Sequence, residues 1–173
     1  EIAIPISDLS AGMQANLEVS VFHGKRTGPT IFVSAAIHGD EIIGTEIIRR
    51  TMKKLNPAKM SGTVIFVPVV NMFGFITHSR YLPDRRDLNR SFPGTERGSL
   101  ASQLANIFTT EIIGRCSLGI DIHSAALHRY NLPQIRIASG NTELKELAME
   151  FGAPVVIEAD LRPGSLRAFA REA

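Results

Sequence analysis

Two short stretches carry side chains that can bind a metal ion, and they lie far apart along the chain. His38-Gly39-Asp40-Glu41 sets an imidazole and a carboxylate three positions apart, where a strand is expected to give way to a helix and both can reach one cation. Gly39 is expected to supply the backbone freedom for the turn between them. Asp121-Ile122-His123-Ser124 adds a second imidazole at the end of another apolar run. Two histidines and one glutamate are the ligand set of an open catalytic zinc site, whose fourth position is left to water. A third stretch, residues 80–94, holds Arg80, Arg85, Arg86 and Arg90. Forked guanidinium groups beside a metal suit a substrate carboxylate or a developing oxyanion. Each stretch also has a plainer reading: Asp40 and Glu41 complementing a helix dipole, His123 hydrogen-bonded at a strand end, and the arginines pairing with Asp84 and Asp87 in a solvated turn. Convergence of the first two stretches on one edge of a sheet is what separates the readings.

The elements around these stretches follow from hydrophobic spacing. Residues 17–22 alternate apolar and polar side chains, as a half-exposed strand does, and residues 31–36 form the β-branched run of a central strand. From position 41 to 55, Ile42, Ile43, Ile47, Ile48, Met52 and Leu55 recur at helical spacing. Arg49, Arg50, Lys53 and Lys54 gather towards the end of that helix, where its dipole favours cations, and Asn56-Pro57 stops it. Further strands are expected at 63–70, 118–122, 134–138 and 155–158, and further helices at 99–113 and 142–151. Residues 71–98 read as a long loop, too rich in Gly, Pro, Arg and Asp for a core element, and long loops in compact domains tend to be functional. A last helix begins near Ser165, which can cap it, and runs to Ala173 without a Gly or Pro stop. The chain is therefore expected to end inside a helix and to be the N-terminal part of a longer protein. The alternation predicts a single α/β domain over residues 1–173: a mostly parallel mixed sheet flanked by helices on both faces. Ligands of such sheets sit outside the carboxyl ends of the strands, the rim where His38, Glu41 and His123 should emerge.

Composition narrows the function. With 173 residues, 44% hydrophobic and 21% charged, the chain has the makings of one globular domain and not of a disordered segment or coiled coil. Nineteen Lys and Arg against seventeen Asp and Glu leave a formal charge of +2, far too small to argue for a nucleic-acid partner. Cys116 is the sole cysteine, so no disulfide framework or CxxC motif can form within the chain, which suits the cytoplasm. Cys116 itself reads as structural. The uncharged stretch 61–77 is broken by Gly62, Pro68, Asn71 and Gly74, so it cannot span a bilayer, and no membrane partner is expected. No GxGxxG or GxxxxGK[ST] is present, and no GxSxG surrounds Ser34, Ser124 or Ser165. His23 and His128 read as turn or surface residues, and His78, near Arg80, as a candidate substrate contact. The five methionines, from Met13 to Met149, form no stripe and read as fillers.

Taken in order, His-x-x-Glu, Asp-Leu-Asn-Arg-x-Phe-Pro-Gly and Asp-Ile-His-Ser resemble the succinylglutamate desuccinylase and aspartoacylase family, zinc deacylases of the carboxypeptidase-type fold. The likeness runs from about Gly28 to the last residue, and Gly164-Ser165-Leu166-Arg167 also resembles a segment of the family. It implies that His38, Glu41 and His123 bind zinc, that Asn89 and Arg90 hold a substrate carboxylate, and that Arg80 polarises the scissile carbonyl. Asp87 would be the acid that orients a zinc-bound imidazole. The family's general base is a glutamate on a strand after the Gly-Ser-Leu-Arg helix, and neither Glu158 nor Glu172 matches its position. The resemblance thus implies a zinc-dependent hydrolase of small N-acyl amino acids or similar carboxylates, compatible with a homo-oligomer. The alternatives are a zinc carboxypeptidase acting on peptides and a non-catalytic α/β binding domain.

Overall fold

Three parallel strands build the rim on which the metal-binding side chains were expected. The computed structural model describes residues 1–8, 14–125 and 129–172, so Met13, His128 and Ala173 lie outside the described residues. β3 (Arg26–Ala35) runs between β4 (Ser61–Val67) and β5 (Leu118–Ile122), parallel to both. Period-two alternation sends Phe32 to one face of the sheet and Val33 and Ala35 to the other. β2 (Gln14–His23) pairs antiparallel with β4, and β1 (Ile2–Asp8) adds an antiparallel edge, giving the order β1-β2-β4-β3-β5. β6 (Gln134–Ala138) and β7 (Val155–Ala159) form a separate parallel pair. Among the described residues, three of the five strand pairings are parallel, so the expected mixed sheet is present with its antiparallel part at the N-terminal end. β1 has no counterpart in the sequence-based expectation. Pro5 interrupts its alternation, and the structure tolerates a proline there because β1 is an edge strand.

Helices cover both faces. α1 (Ile43–Lys54) packs Ile48 against Ala35 and Phe66, and α3 (Leu100–Glu111) sets Phe108 against Phe32 and Phe92 on the opposite face. Both aromatic contacts are edge-to-face, with centroids 5.6 and 6.1 Å apart. α4 (Thr142–Phe151) lies on the β6–β7 pair, and α5 (Leu166–Glu172) is capped by Ser165, whose Oγ accepts from Ala168 N at 3.2 Å.

The segment 71–98 departs from the expected loop. It contains α2 (Met72–Thr77), capped by Asn71, and a 3-10 turn, Leu88–Arg90, capped by Asp87. Leu82, Leu88 and Phe92 are buried in the main core. Each stabilises the fold by about 1.5–3 kcal/mol if fully withdrawn from water, so the segment is pinned to the core along its length. Their spacing follows no helical or strand period, which is why periodicity missed them.

The end of β3 is bent sharply. Ala36 has φ of 51°, the left-handed region, and is held there by Val70 N donating to Ala35 O at 3.0 Å and Asn71 N to Ala36 O at 2.9 Å. The left-handed residue is therefore Ala36 and not Gly39. What Gly39 provides is space: a Cβ there would stand 1.9 Å from the carbonyl carbon of Gly74 in α2. Gly39→Ala must push two backbones apart, and it is expected to lower stability by about 1–3 kcal/mol. Thermal melts of the two proteins check this; an unchanged melting temperature would mean that α2 moves away without cost.

Candidate functional site

His38 follows the left-handed turn after β3, Glu41 stands two residues ahead of α1, and His123 comes directly after β5. The sequence pattern put Glu41 at the start of the helix. The helix begins later, leaving the carboxylate to turn back towards the sheet edge. Ligand atoms of His38, Glu41 and His123 all lie within 4.8 Å of one another. The carboxylate bridges the two rings: Oε1 is 2.7 Å from His38 Nδ1 and Oε2 is 2.9 Å from His123 Nδ1. Ser124 N also donates to Oε2, at 3.0 Å. His38 and Glu41 are buried, whereas the His123 side chain is 37% exposed, so the triad has one open side.

The far nitrogen of each ring faces a further carboxylate. His123 Nε2 lies 2.8 Å from Asp121 Oδ2, and His38 Nε2 lies 3.3 Å from Asp87 Oδ1. Asp87 is itself held by Arg80, whose Nε and Nη2 donate to Oδ2 at 3.1 and 2.9 Å, and by the backbone of Asn89. Arg80 Nη1 then comes within 3.2 Å of His38 Nδ1 and 3.7 Å of Glu41 Oε1. Asn71, fully buried, accepts from Gly74 N and donates to the Arg80 carbonyl, tying this arginine to α2.

These contacts set the charge states. Burial alone would push the Glu41 carboxyl up, but hydrogen bonds and attraction from His123 and His38 hold it at about 2. Burial would lower His123, yet Asp121 and Glu41 on either side carry it up to about 10. His38 is raised in the same way, by Asp87 and Glu41 against burial, and Asp87 is held well below the usual carboxylate range by His38 and Arg80, again against burial. The donor set fits a divalent cation. Two Nδ1 atoms and a carboxylate converge, His123 Nε2 is hydrogen-bonded to a carboxylate as metal-bound histidines are while the buried His38 Nε2 faces Asp87 at 3.3 Å without a hydrogen bond, and one side is open for a fourth ligand.

The profile of the Succinylglutamate desuccinylase/Aspartoacylase catalytic domain matches residues 27–173. The chain belongs to that family. It is 31% identical over 163 residues to the N-alpha-acetyl-L-2,4-diaminobutyric acid deacetylase of Halomonas elongata, covering 90% of this chain and 47% of that protein. The crystal structure of a succinylglutamate desuccinylase/aspartoacylase from Rhodobacter sphaeroides superimposes with a TM-score of 0.85 at 26% identity, over 98% of this chain and 52% of the other. An aspartoacylase family protein from Mesorhizobium loti gives 0.86 at 24% identity, over 98% and 56%. The chain thus spans about half the length of these relatives. Its fold is the zinc carboxypeptidase-like fold shared with these structures.

Within this desuccinylase/aspartoacylase domain, Arg80 and Asp87 join the triad directly. Asn89 and Arg90 sit on the adjoining turn. Asn89 Oδ1 accepts from Leu166 N at 2.9 Å, and Arg90, exposed, donates from Nη1 to the Asn89 carbonyl. Gly164, with φ of 72°, rests on the Arg90 carbonyl, where a Cβ would stand 2.5 Å from the oxygen, and its own carbonyl accepts from Phe92 N at 3.0 Å. The Gly-Ser-Leu-Arg segment is therefore docked on the Asp-Leu-Asn-Arg turn. Among the described residues Asp84 does not pair with an arginine side chain; it caps α3 through Ala101 N and accepts from Arg86 N. His78 is the left-handed C-cap of α2 with an exposed side chain, and His23 is exposed and bonded to Thr63. Glu158 pairs with Lys145 at the β6–β7 sheet and is not brought to the triad. Cys116 packs against the core, and burial pushes its thiol up to about 11. Asp121 and Ser34 were given no role by the sequence. The available signal was the two-residue spacing of Asp121, inside β5, and His123, just past its end, which continues the strand's alternation and puts both on the same side.

Linkage gives a signed expectation for the metal-free chain. Glu41 contributes stability above its ordinary value of 4.5 and loses it as pH falls towards about 2. His123 contributes below 6.5 and loses its share as pH rises towards about 10. These two groups favour the fold most between pH 4.5 and 6.5, and the metal-free melting temperature should decline above that window. A divalent ion displaces imidazole protons, so the gain in melting temperature at fixed zinc should grow from about pH 6 to 8. Melts with and without zinc across that range check it; a pH-independent gain would place the ion elsewhere.

Proposed function

We propose that this chain carries the zinc centre of a cytoplasmic hydrolase that cleaves the amide bond of small N-acyl amino acids. The carrying observation is that a ring nitrogen of His38, a ring nitrogen of His123 and a Glu41 carboxylate oxygen meet within 4.8 Å, with one side open. His38, Glu41 and His123 would hold the zinc, which when bound supplies Lewis acidity and a water that ionises near neutrality. Support for the deacylase reading comes from the 31% identical relative, whose name is that of a deacetylase of an N-acetylated amino acid.

Arg80 is fixed by Asp87 with Nη1 close to Glu41 and His38, so its guanidinium can donate to the scissile carbonyl oxygen as negative charge develops there. Asn89 has its Oδ1 engaged by Leu166 N, which leaves its amide NH₂ as the end that can donate to a substrate carboxylate, with the Arg90 guanidinium beside it. Asp87 and Asp121 are both engaged with imidazoles. A half-buried thiol with raised pKa and no disulfide partner suits the reducing compartment proposed here. Among the described residues, no helix is long and apolar enough to cross a membrane.

His123→Ala is expected to abolish stoichiometric zinc binding, measured by titration against a chromophoric chelator; an unaltered stoichiometry would remove the ligand assignment. In a longer protein containing this chain, N-acetyl and N-succinyl amino acids should be hydrolysed in preference to dipeptides with a free amino terminus, with zinc required. Faster cleavage of the peptides would make the protein a carboxypeptidase, and no hydrolysis of either together with no zinc uptake would leave a binding domain.

A further inference from the structure

Ser34 is a hydroxyl in the middle of an apolar central strand, flanked by Val33 and Ala35 and wholly buried. A buried hydroxyl costs stability unless its hydrogen bond is made, and packing gives no reason for a serine at this position. Its partner stands on the neighbouring strand. Ser34 and Asp121 are in register across the parallel β3–β5 ladder, and Ser34 Oγ donates to Asp121 Oδ1 at 2.8 Å. The other oxygen of the same carboxylate, Oδ2, is 2.8 Å from His123 Nε2. Among the described residues, Asp121 has no Lys or Arg within ion-pair distance, and its ionic partner is His123 alone. Asp87, its counterpart behind His38, divides its charge between that ring at 3.3 Å and Arg80 at 2.9 Å.

We infer that Asp121, anchored by Ser34, is a positioning residue that fixes the orientation and tautomer of His123. Accepting a proton from Nε2 leaves the Nδ1 lone pair free, and Nδ1 is the atom aimed at Glu41 and the converging donors. His123 needs such a fixture more than His38 does. It leaves the sheet at the strand end with its side chain partly open to solvent, whereas the His38 ring is buried and held by its surroundings. The chain Ser34–Asp121–His123 carries the rigidity of the central ladder out to the open side of the site. The inference rests on the reading of His38, Glu41 and His123 as metal ligands, and it adds that the order of influence is Asp121 before Ser34.

The test is a zinc dissociation constant by chelator competition, with cobalt(II) substitution as a second readout because its visible bands report ligand geometry. Asp121→Asn keeps the shape and removes the charge; it should weaken zinc binding about 10–100-fold and alter the cobalt spectrum. Ser34→Ala leaves the carboxylate but frees it to rotate, and should weaken binding in the same direction by less. Both are compared by circular dichroism without metal, and Ser34→Ala keeps the test valid should Asp121→Asn fail to fold. Zinc affinities within about twofold of the unaltered chain in the folded variants, together with loss of binding in His123→Ala, would overturn the positioning inference and leave the metal site standing. Retained zinc binding in His123→Ala would instead overturn the site itself, and the inference with it.

Discussion

A carboxylate held inside a protein requires opposite charge close by, and Glu41 is such a group: 5% exposed, and ionised down to a pH of about 2. The two imidazoles and Arg80 supply that charge, and Asp87 and Asp121 in turn balance the imidazoles. The rim of the sheet therefore behaves as one electrostatic unit. Most members lean on more than one neighbour, Glu41 on both rings and Arg80, and Asp87 on His38 and Arg80, so neutralising one shifts the balance of the rest.

The scaffold divides the task of holding this unit. The side of the proposed metal ligands rests on the ladder of β3 and β5, whose register brings Ser34 beside Asp121 and sets His38 and His123 at the same end of the sheet. The strained turn at Ala36 and the tight approach of Gly39 to Gly74 aim the His38 segment. The side proposed to face a substrate carboxylate rests on the segment 71–98, which is pinned by Leu82, Leu88 and Phe92 and by the buried amide of Asn71. α5 is stitched onto that segment through backbone groups, by Leu166 N on Asn89 and Phe92 N on Gly164. The ladder is a continuous hydrogen-bonded sheet, whereas the second side is a mosaic of caps and turns.

Local pattern carried much of the fold. The strands at 118–122 and 134–138 and the helix at 142–151 have the bounds their periodicity predicts. Where the pattern failed, a particular residue explains it. Pro5 disguised β1, since a proline argues against a strand except at an edge, and being at an edge is a property of the assembled sheet. α2 was hidden because its signal is a cap, Asn71, and a run too short for periodicity to register. Gly39 reads from the sequence as a turn residue, but its need is for room beside α2, and that neighbour is 35 positions away.

By itself the sequence singled out the candidate donors and their level in the fold. His38, Glu41 and His123 each follow an apolar run, and a run that must be buried ends at the sheet edge. The tertiary structure alone decided that one carboxylate bridges both rings across 82 positions of chain, that Asp121 backs one ring and Asp87 the other, and that Asn89 reaches Leu166. The physical reason is register. Which residue stands opposite which depends on the packing of whole faces and on the path of the connecting loops, and a shift of one residue would turn every such side chain to the other face.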